Sequence, residues 1–211
     1  MENLVCAQVK EIFGDLKEMS IANRDYLIEL DAVMGDGDLG LTMTAAFIAA
    51  ADFTSSYDDE DIGSMLMKTG MIMAKAAPST MGTLMATGFM RGGKAIKGVS
   101  TIGLVEMNDF WEAFVTGIMD RGKAKPGEKT IIDALYPVMV TYKDAVNQNR
   151  GFVQAAKEAK YAAEQGVEAT KNMIAQHGRI AYYQERSRTI QDPGATIGAL
   201  VVGVFSDYIT A

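Results

Sequence analysis

The apolar residues of this chain recur at the helical period from one end to the other, and that spacing limits what it can fold into. Val5, Val9, Ile12, Phe13 and Leu16 share one face of a chain wound at ~3.6 residues per turn. Ile62, Met65, Leu66, Thr69, Ile72 and Met73 do the same, as do Leu104, Met107, Trp111, Phe114 and Ile118. Ile197, Leu200, Val201, Val204, Phe205 and Tyr208 repeat the pattern near the C-terminus, and the Ala-rich stretch from Phe152 to Met173 reads as a long helix with close neighbours. No convincing run of alternating β-branched residues interrupts the series. The spacing predicts an all-α fold of about eight helices. The intervening segments Gly35–Gly40, Gly92–Gly98, Gly122–Gly127 and Gly178–Gly194 carry glycine. Short connectors favour antiparallel neighbours, hence an up-and-down bundle or helical barrel. No low-complexity linker divides the chain, so residues 1–211 are expected to form a single domain.

Composition narrows the chemistry. Aromatics make up 8% and Met residues number 15, which suits helix-rich packing. Lys and Arg number 20 against 27 Asp and Glu, and a net charge of −7 argues against a surface that wraps nucleic acid. Cys6 is the only cysteine, so the chain has no internal disulfide or multi-thiolate metal site, in keeping with a reducing compartment. It falls on the apolar side of the first helix and reads as core. His177, the only histidine, reads as a helix-end residue, and histidine-dependent triads are improbable. Residues Met1–Lys17 mix charges into the apolar positions and show no secretory signal. The most apolar stretch, Ala195–Phe205, is shorter than the ~20 residues that cross a bilayer. A cytoplasmic protein with no membrane partner is expected.

Three segments carry chemistry. In Leu30–Gly40 the carboxylates Asp31, Asp36 and Asp38 lie within eight residues, and glycines allow a turn sharp enough to bring them together. Such a cluster needs a counter-ion, which a hard divalent cation supplies. The twelfth position of an EF-hand register is Phe47, not Glu, so a Ca²⁺ loop is out. Few protein ligands plus nucleotide phosphates is how Mg²⁺ is usually held. The plainer alternative is a solvated acidic turn with Asp38 as a helix N-cap. Gly40-Leu41-Thr42 then opens a helix whose free N–H groups favour an anion. Two P-loop near-misses fail: Gly88–Ala95 ends in Ala95 where a hydroxyl is needed, and Gly122–Thr130 is one residue too long. The third segment, Gly178 to Ala195, is a long polar connector, and such loops are commonly functional. Arg179, Arg186 and Arg188 are candidates for phosphate oxygens, with at least one left solvated or paired to Glu185. Asp192-Pro193-Gly194 has turn chemistry and caps the final helix.

Taken in order over essentially the whole chain, these segments resemble the nucleotide-binding L subunit of the dihydroxyacetone kinase family. Leu30-Asp31 through Gly35-Asp36-Gly37-Asp38 is similar to the family's Mg²⁺ loop, and Arg121-Gly122 through Gly127-Glu128-Lys129-Thr130 to its arginine-glycine to glycine-acidic-lysine-threonine stretch. The region from Gly178-Arg179 to Asp192-Pro193-Gly194-Ala195 resembles its nucleotide lid. The resemblance implies an eight-helix antiparallel barrel with ATP or ADP on loops at one end. It also implies two Mg²⁺ ions held by Asp31, Asp36 and Asp38, with Leu39, Gly40, Leu41 and Thr42 covering the phosphates. By the same resemblance Thr80, Met81, Gly122 and Thr130 surround the nucleoside, while Arg179 (the one residue given a catalytic role), Asp192, Pro193 and Gly194 close over it.

What the resemblance implies about activity is phosphoryl transfer to a short ketose held covalently on a separate K subunit. The donor is ATP, or bound ADP recharged by a phosphotransferase-system protein. Leu39 and Thr42 stand where the family usually has His and Asn, Met81-Gly82-Thr83 replaces a Ser-Gly-Pro segment, and Gln184 replaces Gly. These departures point to a divergent branch acting on a related ketose such as erythrulose. Two alternatives stay open: a nucleotide-dependent regulatory module without its own turnover, and a nucleotide domain serving another acceptor such as a fatty acid.

Overall fold

The apolar stripes become helices packed side by side. The computed structural model describes every residue from Met1 to Ala211. Its elements run β1 (Leu4–Val5), α1 (Cys6–Ala22), α2 (Arg24–Ala32), α3 (Leu39–Ser55), α4 (Ile62–Ala76), α5 (Thr80–Ala95), β2 (Thr101–Ile102), α6 (Leu104–Gly122), α7 (Ile131–Asn147), α8 (Phe152–Thr170), a 3-10 helix (Arg179–Ser187) and α9 (Pro193–Thr210). Eight of the α-helices close a ring: α1 packs on α3, each helix from α3 to α9 packs on the next, and α9 returns to α1. The all-α barrel expected from the sequence is the fold observed.

The helix count is nine, not eight, because the first helical segment breaks at Asn23. There the backbone turns to φ −100°, ψ 5°, and both the amide side chain and the backbone N–H donate to the Met19 carbonyl, at 2.8 and 3.0 Å. The short α2 that follows buries only Leu27 and leans on α3 and α9 outside the ring. Val5 belongs not to the helix face but to the antiparallel pair of β1 and β2, where Leu4 faces Ile102 and Val5 faces Thr101. Two residues per strand are too few for alternation to reveal. Gly92 and Gly93, read as connector, lie inside α5. They serve close packing: a Cβ on Gly92 would stand 2.6 Å from the Phe110 ring, and one on Gly93 2.5 Å from the Met67 nitrogen. α8 stops at Thr170, three residues short of Met173.

The barrel is filled by one cluster of 47 buried residues. Phe13, Phe89, Phe110, Trp111, Phe114 and Phe205 interlock within it, Phe89 meeting Phe114 edge-on at 5.2 Å. α9 is longer than the apolar stretch read from sequence, and at 18 residues it has the length and composition to cross a membrane. Over half of it, 56%, is buried against the rest of the protein, so its apolarity is that of a barrel stave packed on α7, α8 and α1.

Candidate functional site

Alternation around the ring places the starts of α3, α5, α7 and α9 at one end, where α1, α4, α6 and α8 finish. A cavity of about 460 Å³ opens there. It is lined by Leu39 from α3, by Ser79, Thr80, Met81 and Leu84 from α5, by Thr130 and Ile131 from α7, and by Asp192, Pro193 and Gly194 from α9. Three of these starts are capped by side chains. The Ser79 hydroxyl accepts from Gly82 N, Thr130 Oγ1 from Ile132 N, and Asp192 Oδ2 from Ala195 N at 2.7 Å. Each helix start carries partial positive charge and spare N–H donors, worth ~0.3–1 kcal/mol to a nearby anion, and four converge here.

The acidic loop leads into α3 and lines the same cavity. Gly35 is obligatory, since a Cβ there would stand 2.3 Å from Asp31 Oδ1, and Gly37 takes φ +72°. The turn brings one carboxylate oxygen from each of Asp31, Asp36 and Asp38 within 4.8 Å of one another, with Asp36 and Asp38 exposed and Asp31 half-buried. Asp38 occupies the N-cap position of α3 but makes no capping hydrogen bond with its side chain, so the carboxylate stays free. Its backbone N–H donates instead to Asp31 Oδ2 at 3.1 Å. Partial desolvation within the loop raises the Asp38 carboxyl above its ordinary value; Asp36 and Asp31 add to this, and Arg179 opposes it. Three converging carboxylate oxygens, with Arg179 engaging only Asp36, match the donor set of a hard divalent ion.

The connector between α8 and α9 covers the cavity. Arg179 Nη2 meets Asp36 Oδ2 at 2.9 Å, linking it to the acidic loop. Arg188 pairs with Glu185 and the Asn172 carbonyl, and Arg186 lies over the Tyr183 ring, so Arg179 alone of the three lines the cavity. Gln184 adopts φ 47°, ψ −123°, a left-handed conformation that favours glycine. Residues 179–187, which the sequence reads only as connector, wind into short 3-10 turns broken at Gln184.

The cavity thus gathers Asp31, Asp36, Asp38, Leu39, Thr80, Met81, Thr130, Arg179, Asp192, Pro193 and Gly194. Gly40, Leu41, Thr42 and Gly122 stand outside its lining. Gly40 is buried against the Arg24 carbonyl, Leu41 points to solvent, and Gly122 ends α6 behind Leu84. His177 is corrected: α8 has ended seven residues earlier, and its Nε2 meets Glu128 Oε2 at 2.7 Å on the cavity rim. Lys129 was not anticipated. It is 1% exposed, sits at φ 59°, and donates to the carbonyls of Thr170 and Ile190. Burial lowers its pKa, with Asp192 and Asp133 opposing. Burial also lifts Asp192 to about 7, against the Ala195 N–H and Lys129. Nothing local in Glu128-Lys129-Thr130 separates a buried lysine from a solvated one.

Helix starts, an oxygen-donor triad and an arginine about one cavity define a helical barrel with donors and acceptors of both signs gathered at one end. The chain belongs to the DAK2 domain family, which matches residues 33–207. It is 35% identical over 172 residues to the PEP-dependent dihydroxyacetone kinase, ADP-binding subunit DhaL, of Escherichia coli (strain K12), covering 82% of each chain. It is 27% identical to the L-erythrulose kinase of Pectobacterium atrosepticum, over 92% of this chain and 33% of that protein. The dihydroxyacetone kinase of C. freundii shares the fold with a TM-score of 0.73 at 22% identity, over 95% of this chain and 34% of that one.

Proposed function

We propose that this chain is the Mg²⁺-dependent nucleotide-binding subunit of a dihydroxyacetone-type kinase. It transfers a phosphoryl group from ATP, or from ADP recharged in place by a phosphotransferase-system protein, to a short ketose held on a separate K subunit. The observation that carries the reading is the gathering, about one cavity, of an aspartate triad, four helix starts and Arg179, which pairs with Asp36. The 35% identity to a subunit described as ADP-binding supports it.

Asp31, Asp36 and Asp38 would hold Mg²⁺, whose chemistry here is to neutralise phosphate oxygens and orient the group in transfer. The starts of α3, α5, α7 and α9 supply N–H donors to the remaining oxygens, already fixed by the barrel. Arg179 offers bidentate donors to charge on the transferring group, and in the free protein it rests on Asp36. Met81, Leu84, Ile131 and Ile180 give the cavity an apolar side suited to a nucleoside. Glu128 engages His177 and Asp192 caps α9, so both carboxylates already hold partners within this chain. Phosphoryl transfer needs positioning and charge stabilisation more than covalent chemistry from the protein. The acceptor is then activated elsewhere, on the partner.

The test mixes the purified chain, a ketose-holding K subunit, a phosphoryl donor with Mg²⁺, and a panel of short ketoses including dihydroxyacetone and erythrulose. Product is expected only when both chains are present. Robust turnover by this chain alone would overturn the two-subunit arrangement.

A further inference from the structure

Glu128 and Lys129 are neighbours in sequence but grip opposite ends of the cavity's cover. The left-handed backbone of Lys129, φ 59°, sends the two side chains apart. Glu128 Oε2 meets His177 Nε2 at 2.7 Å, and the Glu128 carbonyl accepts from Gln176 N at 3.1 Å, immediately before Gly178. Lys129 Nζ donates at 2.5 Å to the carbonyl of Thr170, the last residue of α8, and at 2.5 Å to that of Ile190, two residues before Asp192. Thr170 Oγ1 then accepts from Asp192 N at 3.0 Å. Asp133 steadies the grip from below, accepting from Gly127 N and Thr130 N. Burying an ammonium costs stability, and holding a non-glycine residue at positive φ adds to that cost, so packing alone does not account for Lys129. A gain in placement explains its presence.

We propose that Glu128 and Lys129 are positioning residues that clamp the two ends of the Gly178–Gly194 segment and thereby set Arg179 and Asp192 over the cavity. The inference rests on the nucleotide reading above for its purpose. The clamp is a property of the free chain, and trypsin reads it directly, because Arg179, Arg186 and Arg188 are exposed cleavage sites along the segment. Cleavage tracks the population of the opened segment. Glu128→Ala should speed cutting after Arg179 by about tenfold with cutting after Arg188 unchanged, and Lys129→Met should do the reverse. Glu128→Gln keeps an oxygen that accepts from the imidazole and should restore the parent pattern. In Glu128→Ala the affinity for Mg-ADP should fall about tenfold with the melting midpoint of the free chain unmoved, which a merely structural residue would not give. If Lys129→Met does not fold, the Glu128 variants decide alone. Cleavage patterns identical to the parent, or faster at every site along the chain, would overturn the clamp. A parent whose Arg179 and Arg188 sites gain no protection from Mg-ADP would overturn the nucleotide reading instead, even if the variants cut in the polarised pattern.

Discussion

Single residues decide whether the acidic loop is a site or a turn. Asp36→Asn keeps size and removes one charge from the triad. The apo protein should lose little stability, since the Arg179–Asp36 pair is exposed and such pairs are worth ~0–1 kcal/mol, and relief of like charge offsets that loss. What should disappear is stabilisation by ligand. Saturation at about one hundred times Kd is worth ~2.7 kcal/mol, and each kcal/mol moves a midpoint by roughly 2–4 °C in a chain of this size. The parent should therefore rise by ~5–10 °C in Mg-ADP and the variant hardly at all, read by thermal melting with and without chelator. Equal shifts would return the loop to a solvated turn. Gln184 offers a second residue-scale check. It holds φ 47° where the family typically has glycine, and such strain costs ~1–3 kcal/mol, partly offset by glycine's freedom in the unfolded chain. Gln184→Gly should slow hydrogen exchange over residues 179–187 by roughly fivefold, the equivalent of about 1 kcal/mol. Unchanged exchange would show that no strain is stored there. The triad could be read from sequence because its three members lie in one local turn. Lys129 and the Glu128–His177 pair could not, because their partners sit 41 to 61 residues away.

Elements were legible where an apolar stripe met a barrel wall, and illegible where geometry rather than patterning set the boundary. The break at Asn23 depends on one amide bonding back to Met19, and Gly92 and Gly93 look like a connector until the Phe110 ring is seen above Gly92 and the Met67 backbone beside Gly93. The start of α9 was visible in Asp192-Pro193-Gly194, but its electrostatics were not. Asp192 is buried, and its carboxyl is lifted to about 7, foremost by desolvation. A carboxyl whose folded pKa exceeds its unfolded value binds its proton more tightly in the native state. Its contribution is therefore complete below the ordinary carboxylate pKa and is lost as pH rises toward about 7. Asp192→Asn keeps an oxygen for the Ala195 N–H and has nothing to titrate. The parent's melting midpoint should fall relative to the variant's between about pH 4 and pH 7 and run parallel to it above. Parallel curves throughout would place the Asp192 carboxylate among ordinary ionised ones.

At the scale of the whole molecule, the barrel joins its ends through one interior. The 47-residue cluster takes members from every ring helix, and Trp111 sits in its aromatic part against Phe110, Phe114 and Phe205. The cavity is walled by the starts of α3, α5, α7 and α9, four of the eight staves. A ligand gripping all four cannot be released by opening one hairpin, so its binding energy should add to the stability of the entire ring. Far-UV circular dichroism, which follows the helices, and fluorescence of Trp111, which follows the interior, should therefore trace one thermal transition with a common midpoint. Mg-ADP should raise both midpoints by the same amount. A chain made of separable halves would show two transitions, and a cavity end that melts on its own would let Mg-ADP shift part of the helical signal while leaving Trp111 where it was. Coincident, equally shifted curves are expected, because in a closed ring no stave that meets the ligand lacks a neighbour that fills the core.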